Sequence, residues 1–194
     1  MTATARSAKG AGTRHRILDA ARDVLAEEGM EGFTTRRVAA RAGISHGMCH
    51  YHFADKQSLI LALVEHARSD WIQPLQDMVA GPETAEERMR AIIDWIAEPA
   101  TGEVIRVHST LYRFALADDP IRQSLAAEYA LWREQFVKVF EDLSTEKRLH
   151  GLDAAAIGET FASAADGLVQ QQSLDPNIDT RTLLNALFER VSAS

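Results

Sequence analysis

The sequence predicts an all-α fold. After Thr13, apolar residues return at helical period in almost every segment, and no stretch shows the sustained alternation of a half-buried strand. The segments are separated by clusters of glycine, proline and aspartate, at Gly81-Pro82, Pro99, Asp118-Asp119-Pro120 and Asp175-Pro176-Asn177.

Each helix follows from its own stripe and its own stops. Ile17, Ala21, Val24 and Leu25 make the first, which ends before Gly29 and Gly32. Thr34 and Thr35 cap a short second helix, Arg36 to Ala42, and Gly43 stands where a left-handed C-cap is needed. Ser45 caps a third, His46 to His52, and Asp55 a fourth and longer one. That fourth helix carries Leu59, Ile60, Leu63 and Val64 and is expected to run to Trp71 or beyond, with Pro74 ending or kinking it. Further helices are expected over 84–97, 103–117, 121–143, 153–174 and 180–191.

Composition bounds the function. The chain has 194 residues, 46% hydrophobic and 25% charged, an ordinary globular balance for one domain or one plus a small module. A single cysteine, Cys49, excludes an internal disulfide framework and a cysteine-based zinc cage. The longest aliphatic run, Leu59 to Val64, is far short of the ~20 residues of a membrane span. The N-terminus lacks the apolar stretch of a signal peptide, so a cytoplasmic address is the expectation. Net charge is −7, unevenly spread. Residues 1–60 hold nine Lys or Arg and six Asp or Glu, net +3, and the remainder is net −10. A mildly basic head on an acidic body is the resulting picture.

The informative segment is Phe33 to Leu59. Two short helices joined by a tight turn containing glycine form the helix-turn-helix pattern, whose second helix enters the DNA major groove. Val38, Ala39, Ile44, Cys49 and Phe53 have spacings suited to pinning the helices together, leaving Arg36, His46, Gly47, Met48 and His50 outside. Gly47 lets the helix backbone approach the duplex closely. Ser45 and the free N–H groups at the start of that helix suit phosphates and base edges alike.

This segment resembles the DNA-binding head of the TetR family of bacterial transcriptional regulators. The resemblance covers residues 13–64 and rests on Thr34-Thr35, Val38-Ala39, Ala42-Gly43-Ile44-Ser45, Gly47, Tyr51-His52-Phe53, Lys56 and Leu59. It implies that Thr35 and Tyr51 contact phosphates, that Lys56 anchors the next helix on the DNA backbone, and that Arg36, His46 and Met48 face base edges. Arginine is able to read guanine through two hydrogen bonds, and methionine to touch a thymine methyl. His50 stands where the family most often has tyrosine, and a protonated histidine there would donate to phosphate and tighten binding as pH falls. The resemblance also implies a homodimer on a palindromic operator of double-stranded DNA. The organisation expected is a disordered basic arm at 1–12, a DNA-binding head at 13–58, and a ligand-binding and dimerisation body at 59–194.

Two other chemistries are weighed. His46 and His50 share a helix face, but His52 does not join them and no carboxylate stands at ligand spacing, so no metal or other cofactor is expected. Gly43-Ile44-Ser45-His46-Gly47 fits the G-x-S-x-G nucleophile elbow letter for letter. That motif needs a strand before the serine, and a helix precedes it here, so a serine hydrolase is the rival of a different class and no catalytic residue is assigned.

In the body, Trp95, His108, Tyr112, Trp132 and Phe136 are candidates to line a cavity for a small organic ligand, or are ordinary core aromatics. His108 shares the apolar face of its helix with Val104, Leu111 and Ala115, where a polar group needs a partner, either a side chain or a ligand. Arg106, Thr110 and Arg113 lie on another face. Phe161, Ala165 and Leu168 on one helix, and Leu184, Leu187 and Phe188 on the next, are candidates for a four-helix dimer interface or for packing within one chain. The reading is a ligand-released transcriptional repressor, with a ligand-independent regulator of the same fold as the alternative.

Overall fold

The computed structural model describes residues 3–146, 149 and 151–192, and the side chains among them except those of 3–10, 67, 69, 70 and 99–106. Val104 and Arg106 therefore fall outside the described side chains, as Met1 and Thr2 fall outside the described residues. Nine helices and no strand are described: α1 Ala3–Gly32, α2 Thr35–Arg41, α3 His46–His52, α4 Lys56–Val79, α5 Ala85–Ile96, α6 Pro99–Ala115, α7 Asp119–Thr145, α8 Ala154–Leu174 and α9 Thr180–Ser192. The all-α expectation holds, and among the described residues no helix is long and apolar enough to cross a membrane.

Local chemistry sets most of the boundaries. Thr34 Oγ1 accepts from the Arg37 amide, Ser45 Oγ from the Met48 amide, and Asp153 from those of Ala155 and Ala156. Thr84 and Glu87 form a full capping box ahead of α5. Asp55 Oδ1 accepts from the Ser58 amide at 2.7 Å while Ser58 Oγ accepts from the Asp55 amide, the same reciprocal arrangement at the start of α4. Gly43, at φ 65°, closes α2 in a Schellman turn, with the Ile44 amide donating to the Ala39 carbonyl and that of Gly43 to Ala40.

Several boundaries differ from the sequence expectation, among them that of α6, which starts at Pro99, a residue expected as a break, rather than at 103. Helix α1 starts at Ala3, and residues 3–12 of the basic arm are helical backbone continuous with it. The expected stop at Gly29 is a break inside the helix, where φ is 61° and ψ −167°. Of the two outcomes expected at Pro74, an end or a kink within a longer helix, α4 takes the longer course and runs to Val79. A mid-helix proline costs ~3 kcal/mol, and here Trp71, Ile72, Leu75 and Val79, all buried, hold both sides of it in the core.

The chain divides into two compact units, residues 1–67 with 110–125, and residues 68–109 with 126–194. In the first, α1 packs on α2 and α2 on α3 around Ile17, Leu18, Leu25, Phe33, Val38, Cys49, Phe53 and Leu59. The turn between α6 and α7 belongs to this unit, and Asp118 accepts a 2.7 Å hydrogen bond from Gln57 on the first turn of α4. In the second, α9 packs on α5 and α8 around Met89, Ile92, Phe136, Phe140, Phe161, Leu184 and Phe188.

Candidate functional site

The first unit displays one polar surface built by α2, the turn and α3. Cys49 and Val38 point inward and are buried, and burial pushes the Cys49 thiol pKa up, which makes it a core residue rather than a reactive one. The residues around them are consequently outward. Arg36, Ser45, His46, Gly47, Met48, His50 and Tyr51 are exposed and Thr35 partly so, with the Tyr51 side chain 83% accessible.

The basic residues of α2 divide by what they already touch. Arg37 is paired with Glu28, and Arg41 meets both oxygens of Glu27, the pairing that lowers the Glu27 pKa and raises that of Arg41. Arg36 is exposed and forms no ion pair among the described residues. Nothing in the periodicity separates these three arginines, because Glu27 and Glu28 reach them from another helix.

The histidines are held from behind. His46 Nε2 lies 3.1 Å from Thr35 Oγ1, joining the first residue of each short helix. The His46 and His50 rings meet edge to face at 4.4 Å. His50 Nδ1 donates to the Ala54 carbonyl at 3.1 Å, since a carbonyl only accepts. That hydrogen bond fixes the ring. Lys56 is tethered inward. Its Nζ donates to the Met30 carbonyl at 3.2 Å and lies over the rings of Phe33 and Phe114, and burial lowers its pKa. Ser45 is an N-cap that follows a helix and a tight turn, so the nucleophile-elbow geometry is not met.

The second unit holds a buried to partly buried aromatic cluster. Trp71 of α4 meets Trp95 of α5 at 5.2 Å and Trp132 of α7 at 6.2 Å, both edge to face, and Trp132 meets Phe136 at 4.9 Å. The His108 ring of α6 stacks on Trp71 at 6.0 Å, 22° from parallel. Its Nε2 is 3.2 Å from Oε1 of Glu128, in a pair whose side chains are 13% and 7% exposed. The distance suits an ion pair, yet neither carboxylate oxygen nor His108 Nε2 is aligned for a hydrogen bond, and the Trp71 indole N–H is buried without an acceptor. Asp166 of α8 completes the group. Burial pushes its pKa up, against the opposing charge of His108 and a 2.9 Å hydrogen bond from Gln170.

Of the ligand candidates, Trp95, His108, Trp132 and Phe136 come together, whereas Tyr112 is 53% exposed and belongs to the other unit. Trp71, Glu128 and Asp166 complete the cluster and are not among the residues the sequence singles out. The signal for Glu128 is its place on the apolar stripe of α7, three residues after Leu125 and four before Trp132. Among the dimer candidates, Phe161, Ala165, Leu184 and Phe188 are buried in the core of their own chain, and Leu168 and Leu187 are partly buried against it. Among the described residues no group of three or more His, Cys, Asp or Glu is placed to hold a metal ion.

One unit carries a helix-turn-helix whose second helix is exposed, and the other is all-helical with a cluster of aromatic and acidic side chains. Residues 17–63 match the bacterial regulatory proteins of the tetR family, and residues 85–193 match the C-terminal part of BetI-type transcriptional repressors. The chain therefore belongs to the TetR family of transcriptional regulators, with a C-terminal part of BetI type. It is 28% identical over 178 residues to the HTH-type transcriptional regulator BetI of Brucella anthropi, covering 91% of this chain and 89% of that one. Its fold matches a putative transcriptional regulator from Saccharomonospora viridis in complex with choline, with TM-score 0.84, 19% identity and 92% and 96% of the two chains covered. It also matches a putative regulator from Pseudomonas aeruginosa, with TM-score 0.82, 18% identity and coverage of 93% and 90%.

Proposed function

We propose that this regulator is a cytoplasmic repressor that binds a palindromic operator as a homodimer and leaves it when a small organic cation enters the body. The observation that carries the ligand reading is the largely enclosed group of Trp71, Trp95, Trp132 and His108 with the carboxylates of Glu128 and Asp166. Aromatic faces attract a cation by ~0.5–2 kcal/mol each, and buried carboxylates supply the counter-charge that a desolvated cation requires. The choline held by the Saccharomonospora regulator is a molecule of that class.

On the head, Arg36, His46 and Met48 read base edges. Thr35, Ser45, His50 and Tyr51 bind phosphates, and Gly47 allows the close approach. Lys56 offers the donors left over from Met30. In the dimer α8 and α9 meet their copies through Leu168 and Leu187, backed by Phe161, Ala165, Leu184 and Phe188. The two recognition helices then lie about 34 Å apart, one DNA turn. The ligand must bind the released state more tightly by ~1–3 kcal/mol to shift the equilibrium. No catalytic step is assigned.

The test is selection of bound duplexes from a random pool, followed by fluorescence anisotropy on the selected site with added choline. A two-fold-symmetric consensus and release by choline are expected. Absence of any consensus at low salt, where electrostatic binding is strongest, removes the operator reading. A consensus with no release by choline or other organic cations leaves the ligand-independent regulator.

A further inference from the structure

We infer that the ligand of the body is a protonated amino alcohol, whose ammonium N–H groups donate to Glu128 and whose hydroxyl accepts from the Trp71 indole. The inference rests on the organic-cation reading proposed above and names which organic cations the site selects.

Enclosed polar atoms without partners define what a ligand has to bring. Nearly every buried polar atom of a folded protein is hydrogen-bonded, and leaving one unpaired costs more than a bond ordinarily gains. Among the described residues six buried side-chain atoms depart from that rule, and four of them belong to one group: Nε1 of Trp71, Nε2 of His108 and both oxygens of Glu128. Trp71 and Glu128 are only 5% and 6% exposed. Both border the His108 ring, Trp71 stacked on it at 6.0 Å and Glu128 Oε1 3.2 Å from its Nε2. The three side chains come from α4, α6 and α7, so no cap or turn of a single helix accounts for them.

These atoms ask for two different things. Glu128 presents two acceptors and Trp71 one donor. A quaternary ammonium balances the charge of Glu128 but has no N–H for either oxygen. Aromatic faces alone favour such a head, because a primary ammonium must give up hydrogen bonds to water before it reaches a ring. An enclosed carboxylate reverses that order by returning those bonds in charge-assisted form. The Trp71 N–H needs an acceptor, which an ammonium lacks and a hydroxyl supplies. A carboxylate on the ligand would also accept from it, but would bring a like charge toward Glu128. Asp166 is already engaged by Gln170, which donates to it at 2.9 Å, so the unmet demand lies on Glu128. His108 Nε2 has no aligned partner, and a donor reaching Glu128 displaces no hydrogen bond at that atom, whichever proton the ring carries.

The experiment is isothermal titration calorimetry of the full-length protein at about pH 7, where every ligand used is a cation. Ethanolamine, N-methylethanolamine, N,N-dimethylethanolamine and choline keep one charge and one hydroxyl while their N–H donors are removed stepwise. Ethylamine is the control without a hydroxyl. Affinity is expected to fall along the methylation series, by about tenfold or more from ethanolamine to choline, and by about fivefold from ethanolamine to ethylamine. Glu128→Gln is expected to flatten the methylation series. Trp71→Phe keeps a ring but no N–H, and is expected to close the gap between ethanolamine and ethylamine.

Choline binding the wild type as tightly as ethanolamine, or more tightly, overturns the inference and leaves the organic-cation reading in place. So does a Glu128→Gln protein that keeps the full methylation preference, because the donors would then be met elsewhere. A Trp71→Phe protein that still prefers ethanolamine over ethylamine overturns the hydroxyl contact. If a variant fails to fold, the wild-type series decides by itself. No binding of any of these cations by a protein that still binds its operator removes the cation reading and this inference together.

Discussion

A β-carbon built on Gly158 would lie 2.6 Å from the Cα of Val137, so α8 crosses α7 with backbone against backbone at that point. No side chain fits there without moving a helix. Gly158→Ala is expected to destabilise the protein by about 1–3 kcal/mol through overpacking. Gly167 lies on the same helix with nothing within 4 Å of its β-carbon position, so Gly167→Ala should stabilise by roughly 0.5–1 kcal/mol. Urea denaturation of the two variants should move the midpoint in opposite directions. A shift of the same sign in both would contradict the close crossing.

Arg36 and Arg37 are neighbours, of which only Arg37 is paired, with Glu28. Arg36→Ala is expected to weaken the selected operator by about 1–3 kcal/mol and to relax the consensus at one position per half-site. Arg37→Ala breaks an exposed pair with Glu28, worth about 0–1 kcal/mol of stability, and should leave the consensus unchanged. Duplex selection with both variants checks this, and a consensus altered equally by the two would refute the division.

Lys56 is tethered by one of its three donors to Met30. Lys56→Gln should lower the melting temperature, because the Met30 carbonyl loses its donor. It should also reduce the slope of log affinity against log salt by about 1 if the remaining donors neutralise one phosphate. Anisotropy titrations over a salt series separate the two effects. A lowered melting point with an unchanged slope would make Lys56 a purely internal tie.

Asp166 has a raised pKa in the folded chain because it is buried. A carboxyl with a raised folded pKa binds its proton more tightly in the native state than in the unfolded one. Its contribution to stability is therefore fully present below the ordinary aspartate pKa and lost as pH rises through the raised value. Asp166→Asn cannot lose that proton. The stability difference between variant and wild type, from urea melts, should grow in favour of the variant as pH rises across this window. A difference independent of pH would overturn the assignment.

The two units were legible in the sequence to different depths, for one reason. Thr34, Gly43, Ser45, Asp55, Thr84 and Asp153 fix helix ends through hydrogen bonds to residues two to four positions away or through one positive φ. Spacing alone reveals such features, and the helix-turn-helix, its exposed residues and the family resemblance followed from them. What only the tertiary structure decided lies between residues far apart in the chain. Helical period does not tell Arg36 from Arg37 and Arg41, because the pairing carboxylates come from α1. It leaves open whether α4 ends or continues at Pro74, because buried neighbours on both sides decide that. Nor does it bring Trp71, Trp95, His108, Glu128, Trp132 and Asp166 from five helices to one place, or leave Tyr112 outside. Local hydrogen bonds are written in adjacent letters, whereas burial and charge pairing depend on which helix faces meet.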